Sequence, residues 1–301
     1  MNKIIPLLLI SLMAASCQKE IEEKTINVVT TTSFITDVVS RIAGDSVEIT
    51  ELIQYGQDPH SYEPSPRDIA KVEKADLIFV NGFGLEEGLM DILENNNGTR
   101  IISLSDSVNP IKSHEGHGHE YDPHTWMSPL NVVLWAEKTA ESLIVIDEKN
   151  SALYEKNRND YIETLRSLHK WIESRLSVLK PEERIMITDH DSLSYFAREY
   201  DFTIIGTIIP GTSSISDTSP KSIIELINLI EETGVNTLFI GETSGSLMNQ
   251  LAENISSELK RPLQVISLKS GSLDRKGNGA DSYIKYMEYN TKQIINGLLI
   301  E

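Results

Sequence analysis

The 301-residue chain has a single cysteine, Cys17, so no intramolecular disulfide can form. Basic side chains are few beside acidic ones, 27 against 45, for a formal net charge of -18. This balance argues against a nucleic-acid partner, because phosphate binding is driven by Lys and Arg displacing counterions. An acidic surface serves solubility first and also suits a protein that handles cations. Beyond the N-terminus no apolar run is long enough to cross a bilayer, which takes ~20 residues. Local metal motifs of the Cys-x-x-Cys or His-Glu-x-x-His type are absent. Gly82-Phe83-Gly84-Leu85-Glu86-Glu87-Gly88 is rich in glycine but lacks Gly-x-Gly-x-x-Gly spacing, so it reads as a turn and helix start rather than a nucleotide site.

What is present begins at the N-terminus. Met1-Asn2-Lys3, an apolar run from Ile4 to Ala15, and Ser16-Cys17 follow the pattern of a secretory signal peptide. Ala14-Ala15-Ser16-Cys17 resembles a bacterial lipobox, so residues 1–17 are expected to be a lipoprotein signal peptide. Cys17 is then the lipidation site and the new N-terminus, fixing the chain to the outer side of a membrane through its lipid. Residues 18–25 are polar and are expected to act as a tether.

The length suits two domains at ~150 residues each. Short β-branched runs alternate with helical patterns from residue 26 to 148 and again from 181 to 301. That alternation predicts α/β lobes, each with a roughly four-stranded parallel sheet flanked by helices. Residues 149–180 break the rhythm. Residues 149–179 contain no Gly or Pro and carry apolar side chains at spacings of mostly three and four. They predict one connecting helix of ~45 Å between the lobes. Ligands of such sheets bind beyond the carboxyl ends of the strands, so two facing lobes would form a cleft.

Of seven histidines, His169 lies within the long helical stretch and reads as structural or exposed. His60 and His124 share a context. Asp58-Pro59-His60-Ser61-Tyr62 and Asp122-Pro123-His124-Thr125-Trp126 both lead into a Ser-Pro helix start. The proline fixes a backbone torsion, and the aspartate can hold a backbone amide or the second imidazole nitrogen. His190 directly follows the strand-like Ile185-Met186-Ile187-Thr188, where a cleft should open. Together the three make a candidate histidine metal site, although their separation in sequence carries no signal of its own. His114, His117 and His119 form a short His-rich tract that reads either as an auxiliary metal loop or as a solvated polar loop.

These motifs resemble the zinc- and manganese-binding solute-binding proteins of bacterial ABC transporters, the cluster A-I group, over nearly the whole mature chain. The loops Asp58 to Pro66 and Asp122 to Trp126 are similar to the family's first two ligand loops, which implies His60 and His124 as ligands. The run from Asp189 to Tyr200 resembles the third, where the family places His or Glu, and implies His190. Asp281-Ser282-Tyr283 resembles the C-terminal motif and implies Asp281 as the fourth ligand. Leu238-Phe239-Ile240-Gly241-Glu242 resembles a family strand whose glutamate would support the ligands from behind, as Asp58 and Asp122 would.

The resemblance implies a monomeric receptor, not an enzyme, that passes its ion to a membrane permease. Three imidazoles and one carboxylate suit Zn2+ better than Mn2+, which prefers more oxygen. The cysteine pair and long His-rich loop of well-characterised zinc members are absent or reduced, which keeps manganese as the alternative. Affinity should fall as the histidines protonate, near pH ~6 or below. The rival readings are a zinc hydrolase, which would need a metal position free for water, and a metal-binding surface adhesin.

Overall fold

The same local pattern is written twice along the chain, and it builds the same half-molecule twice. The computed structural model describes residues 25–95, 98–113, 120–209, 211, 219–242, 245–259, 261 and 263–299. The expected signal segment, the tether up to residue 24 and the His114–His119 tract lie outside the described residues.

The first half comprises β1 (Ile26–Thr30), α1 (Ser33–Ala43), β2 (Val47–Glu51), α2 (Pro66–Val72), β3 (Leu77–Val80), α3 (Glu87–Glu94), β4 (Arg100–Ser103) and α4 (Pro129–Ile146). After the long α5 (Ser151–Leu176) come β5 (Ile185–Thr188), α6 (Ser194–Glu199), β6 (Thr203–Thr207), α7 (Pro220–Thr233), β7 (Thr237–Gly241), α8 (Gly245–Glu258), β8 (Gln264–Leu268) and α9 (Tyr283–Leu298). The sheets have orders β2-β1-β3-β4 and β6-β5-β7-β8. Every strand pairing is parallel. Strand order therefore reverses between β1 and β3 and between β5 and β7, and a crevice opens at each such point.

The interior strands explain themselves. Leu77-Ile78-Phe79-Val80 and Thr237-Leu238-Phe239-Ile240-Gly241 are buried throughout, as strands covered on both faces by helices must be. Helix starts follow their capping chemistry. Ser219 accepts from the Ser222 amide ahead of Pro220, and Ser282 accepts from the Lys285 amide at the start of α9. α7 ends on Gly234, whose φ of +73° suits glycine at a helix C-cap.

One helix does not follow its strand at once. The segment after β5 becomes helical only at Ser194, because its first residues are held in a turn instead. The Thr188 hydroxyl and the Ser192 amide both donate to the His190 carbonyl, and the Asp191 amide donates to Gly211.

α5 spans 26 residues and buries Tyr154, Tyr161, Leu165, Leu168, Ile172 and Leu176 along one face. Its first half is tied to the N-terminal lobe: Tyr161 donates to Asp37, and Asn157 donates to the Ile42 carbonyl at 3.0 Å. Its end is tied to the C-terminal lobe through Arg184, which donates to the carbonyls of Leu176 and Tyr200.

The lobes share one continuous apolar core, with smaller clusters on the outer faces of the two sheets. At the seam Phe34 stacks on Trp126 at 4.8 Å and meets the edge of Tyr286 at 4.9 Å. The Tyr283 hydroxyl donates to the Trp126 carbonyl at 2.7 Å. Further bonds cross the seam from the Leu273 amide to Ser33 and from the Gly56 amide to Ser272. An interface this apolar and this bonded resists hinge opening.

Candidate metal site

The two Asp-Pro-His loops fold alike because the aspartate closes a local turn. Asp58 accepts from the His60 amide at 3.0 Å, and Asp122 accepts from the His124 amide at 2.9 Å. In the second loop the same Asp122 oxygen also takes the imidazole Nδ1 at 2.8 Å. A carboxylate on Nδ1 keeps the proton there and leaves Nε2 as a lone-pair donor. His190 is held the same way by a residue one position upstream. Asp189 accepts from the His190 amide at 2.8 Å and from its Nδ1 at 3.0 Å, while its other oxygen takes the Gly241 amide at 2.8 Å. Asp189 therefore fixes His190 and also joins the ends of β5 and β7 at the reversal point of the second sheet.

The His124 loop is braced from both lobes. Asn81, at the end of β3, donates to the Pro123 carbonyl at 2.9 Å. Its own amide donates to the buried Glu86, which also accepts from Gly82 and the Thr31 hydroxyl. Burial pushes the Glu86 carboxyl up from its ordinary range, against the pull of those donors. From the other lobe, the Tyr195 hydroxyl donates to the Asp122 carbonyl at 2.9 Å.

The result is a convergence of His60, His124 and His190, whose ligand nitrogens all lie within 4.8 Å of one another. The Nε2 atoms of His60 and His124 are 3.0 Å apart. His190 presents its ring to both partners, at centroid distances of 5.8 and 5.2 Å. Tetrahedral zinc with Zn–N near 2.0–2.1 Å places its nitrogens about 3.3 Å apart, within the span these rings cover. His124 and His190 are buried and His60 is half-buried, so solvent reaches the site on the His60 side. Burial would lower the His190 pKa, but the Asp189 charge and hydrogen bond, with Asp58 and Asp122 nearby, raise it above the ordinary histidine value.

Asp281 does not join the three histidines. Its carboxylate accepts from Lys285 at 2.7 Å and from the Gly277 amide at 2.7 Å. Lys285 and that amide hold its pKa below the usual carboxylate range. The motif it opens is structural at this place: Ser282 caps α9, and Tyr283 and Tyr286 reach into the lobe seam. Glu242 does not contact the imidazoles either. It is exposed and pairs with Lys269 at 2.8 Å, and Lys269 also holds Asp274 at 2.9 Å. His169 lies away from the group, against Tyr200 and Glu173. Asp189 was legible in sequence as an acid directly before a strand-end histidine. Ser270 and Gly271, which line the histidine cavity, left no such sign.

If Asp189 orients His190 as a ligand, Asp189→Asn should weaken metal binding by roughly 10- to 100-fold. Calorimetric titration of the variant checks this, and unchanged affinity would reduce Asp189 to a strand brace.

Two parallel α/β lobes on a shared helix, with imidazoles from both converging at the seam, define a two-lobed metal receptor. A family model described as zinc-uptake complex component A, periplasmic, matches residues 28–297, and the chain belongs to that family. It is 31% identical over 307 residues to a manganese ABC transporter substrate-binding lipoprotein of Streptococcus gordonii, covering 98% of this chain and 97% of that one. A manganese-binding lipoprotein of Halalkalibacterium halodurans is 27% identical over 298 residues, covering 97% and 96%. Among solved structures, the periplasmic zinc-binding protein TroA of Treponema pallidum matches with a TM-score of 0.84 at 25% identity, covering 91% of this chain and 99% of TroA. The manganese-bound periplasmic metal-binding protein of Candidatus Liberibacter asiaticus gives 0.80 at 28%, covering 91% and 100%. The chain is thus a metal-binding, substrate-binding component of ABC import, working with a membrane permease, and not an enzyme.

Proposed function

We propose that the protein captures zinc with His60, His124 and His190 and delivers it to the permease of an ABC importer. The observation that carries this reading is the convergence of three imidazoles, two of them with Nδ1 on a buried carboxylate so that Nε2 faces the centre. Borderline nitrogen donors favour zinc, whereas manganese favours carboxylate and other oxygen donors. At a given nitrogen site zinc also binds more tightly than manganese. Manganese is the second reading, supported by the names of relatives such as that of S. gordonii. The cargo would bridge the lobes, since His60 and His124 come from one and His190 from the other. The braced seam supports a small change on loading. Acylation at Cys17 would keep the monomeric receptor beside its permease.

Metal analysis of protein purified without chelator, followed by zinc–manganese competition, tests the cargo. One zinc per chain, displacing manganese, is expected. Retention of manganese against excess zinc would reverse the assignment. Scattering profiles of empty and loaded protein should superimpose, and marked compaction would contradict the rigid seam.

A further inference from the structure

We infer that the exposed turn Arg275-Lys276-Gly277-Asn278 is a docking surface for an acidic face of the permease, placed beside the metal site. This rests on the importer reading above and adds to it the surface through which the receptor meets its membrane partner.

Local chemistry makes this turn firm. The Asn278 amide donates to the Arg275 carbonyl at 3.0 Å, and Gly277 takes a φ of +94°, which a turn of this kind reserves for glycine at its third position. Two aspartates brace the loop from within. The Asp274 amide donates to the Ala280 carbonyl at 2.9 Å, and the Asp274 carboxylate accepts from the Ala280 amide at 3.1 Å. Asp281 accepts from the Gly277 amide at 2.7 Å. Both carboxylates face inward, with Asp274 also on Lys269 and Asp281 on Lys285. Residues 275–279 are exposed, so the loop shows solvent the cations Arg275 and Lys276. Other lysines of this lobe, Lys221, Lys285 and Lys292, lie on acids one turn away along their helices, whereas Arg275 and Lys276 have no ion pair among the described residues.

Placement and charge identify the partner. Arg275 and Asn278 line an open polar cavity of about 240 Å³ with Tyr55 and Gly56 of the other lobe. Ser270 lines both this cavity and the one at the histidines. A partner seated here touches both lobes next to the ion. The chain carries a formal charge of -18, and a path that draws divalent cations carries carboxylates at its mouth. Two acidic surfaces repel. A firm cationic turn reverses the sign at the place where the two must meet, and a guanidinium takes a carboxylate in a bidentate pair. Charges at such a rim steer encounter more than they add affinity.

The test uses the zinc-loaded receptor with its permease and ATPase in phosphatidylcholine vesicles, with ATP hydrolysis read against receptor concentration. Arg275→Ala combined with Lys276→Ala should raise the half-saturating receptor concentration about fivefold to tenfold at low salt and leave the maximal rate alone. The difference should fade as salt rises to about 0.5 M, where exposed charges are screened. Arg275→Lys combined with Lys276→Arg keeps both charges and should behave as the wild type. Calorimetry should give all variants the wild-type zinc affinity. An unchanged half-saturating concentration in the alanine variant, or a rise that tracks weakened zinc binding, overturns the inference. So does wild-type binding to phosphatidylglycerol vesicles that the alanine variant loses while its response to the permease is unchanged, since the turn would then serve lipid. The wild type decides even if a variant misfolds: a half-saturating concentration that does not rise with salt overturns the charged contact. A wild type that stimulates no hydrolysis with zinc or manganese overturns the importer role itself, and this surface with it.

Discussion

Replacing His190 by alanine is expected to weaken zinc capture by more than about a hundredfold while leaving the chain folded. Outer partners of metal ligands are worth 10- to 100-fold on their own, and His190 is one of the three nitrogens that converge among the described residues. Its loss leaves two donors from a single lobe, so the ion no longer bridges the seam. The fold pays a smaller cost. Asp189 keeps its bonds from the residue-190 and Gly241 amides, and loses only the imidazole partner, which costs about 1–3 kcal/mol for a buried acceptor. Chelator-competition titration reads the affinity and thermal unfolding reads the stability. His60→Ala is the informative companion, because His60 is half-buried whereas His190 is buried. It should lose comparable affinity with less loss of stability. Full-strength zinc binding by either variant would remove that residue from the site.

Much of this is legible in the amino-acid sequence, and for physical reasons. Both Asp-Pro-His loops announce their turn chemistry locally, since the aspartate and proline act within two residues of the histidine they position. The buried strands β3 and β7 are continuous apolar runs, so the doubled α/β pattern could be read directly. Signals failed where the determinant was not local. Asp281 sits in a motif like the family's, yet whether its side chain reaches the metal depends on how the Ser270–Asp281 segment crosses the seam. Here Lys285, one turn along α9, captures it. Glu242 ends a buried strand beside the site, but Lys269 from the neighbouring strand's exit takes its charge. Ser270 and Gly271 have no charge or pattern to mark them, and only packing shows that they face the imidazoles. The late start of α6 was likewise hidden, because the bonds that delay it come from Thr188, Ser192 and Gly211 rather than from helix propensity.

Trp126→Ala should be the most damaging single change to the fold, at about 3–5 kcal/mol for a fully buried tryptophan. Trp126 is 1% exposed and lies two residues after His124. It stacks on Phe34 at 4.8 Å and meets the His124 ring edge at 5.2 Å. Its indole N–H donates to the Tyr286 hydroxyl at 3.4 Å, and its carbonyl accepts from Tyr283. Truncation would open a cavity where the first helix, the second ligand loop and α9 meet. Trp126→Phe keeps the stack and loses the N–H, so it should cost markedly less. Because the core is continuous across the seam, denaturant unfolding of both variants should remain a single transition shifted to lower midpoint. Two separated transitions would mean that the lobes are stable alone, and that the seam holds the histidines without holding the fold. Zinc should recover part of the lost stability in Trp126→Ala, since a ligand that binds only the native state stabilises it by mass action. Failure of zinc to raise the midpoint would mean that the His124 loop needs the indole to keep its place.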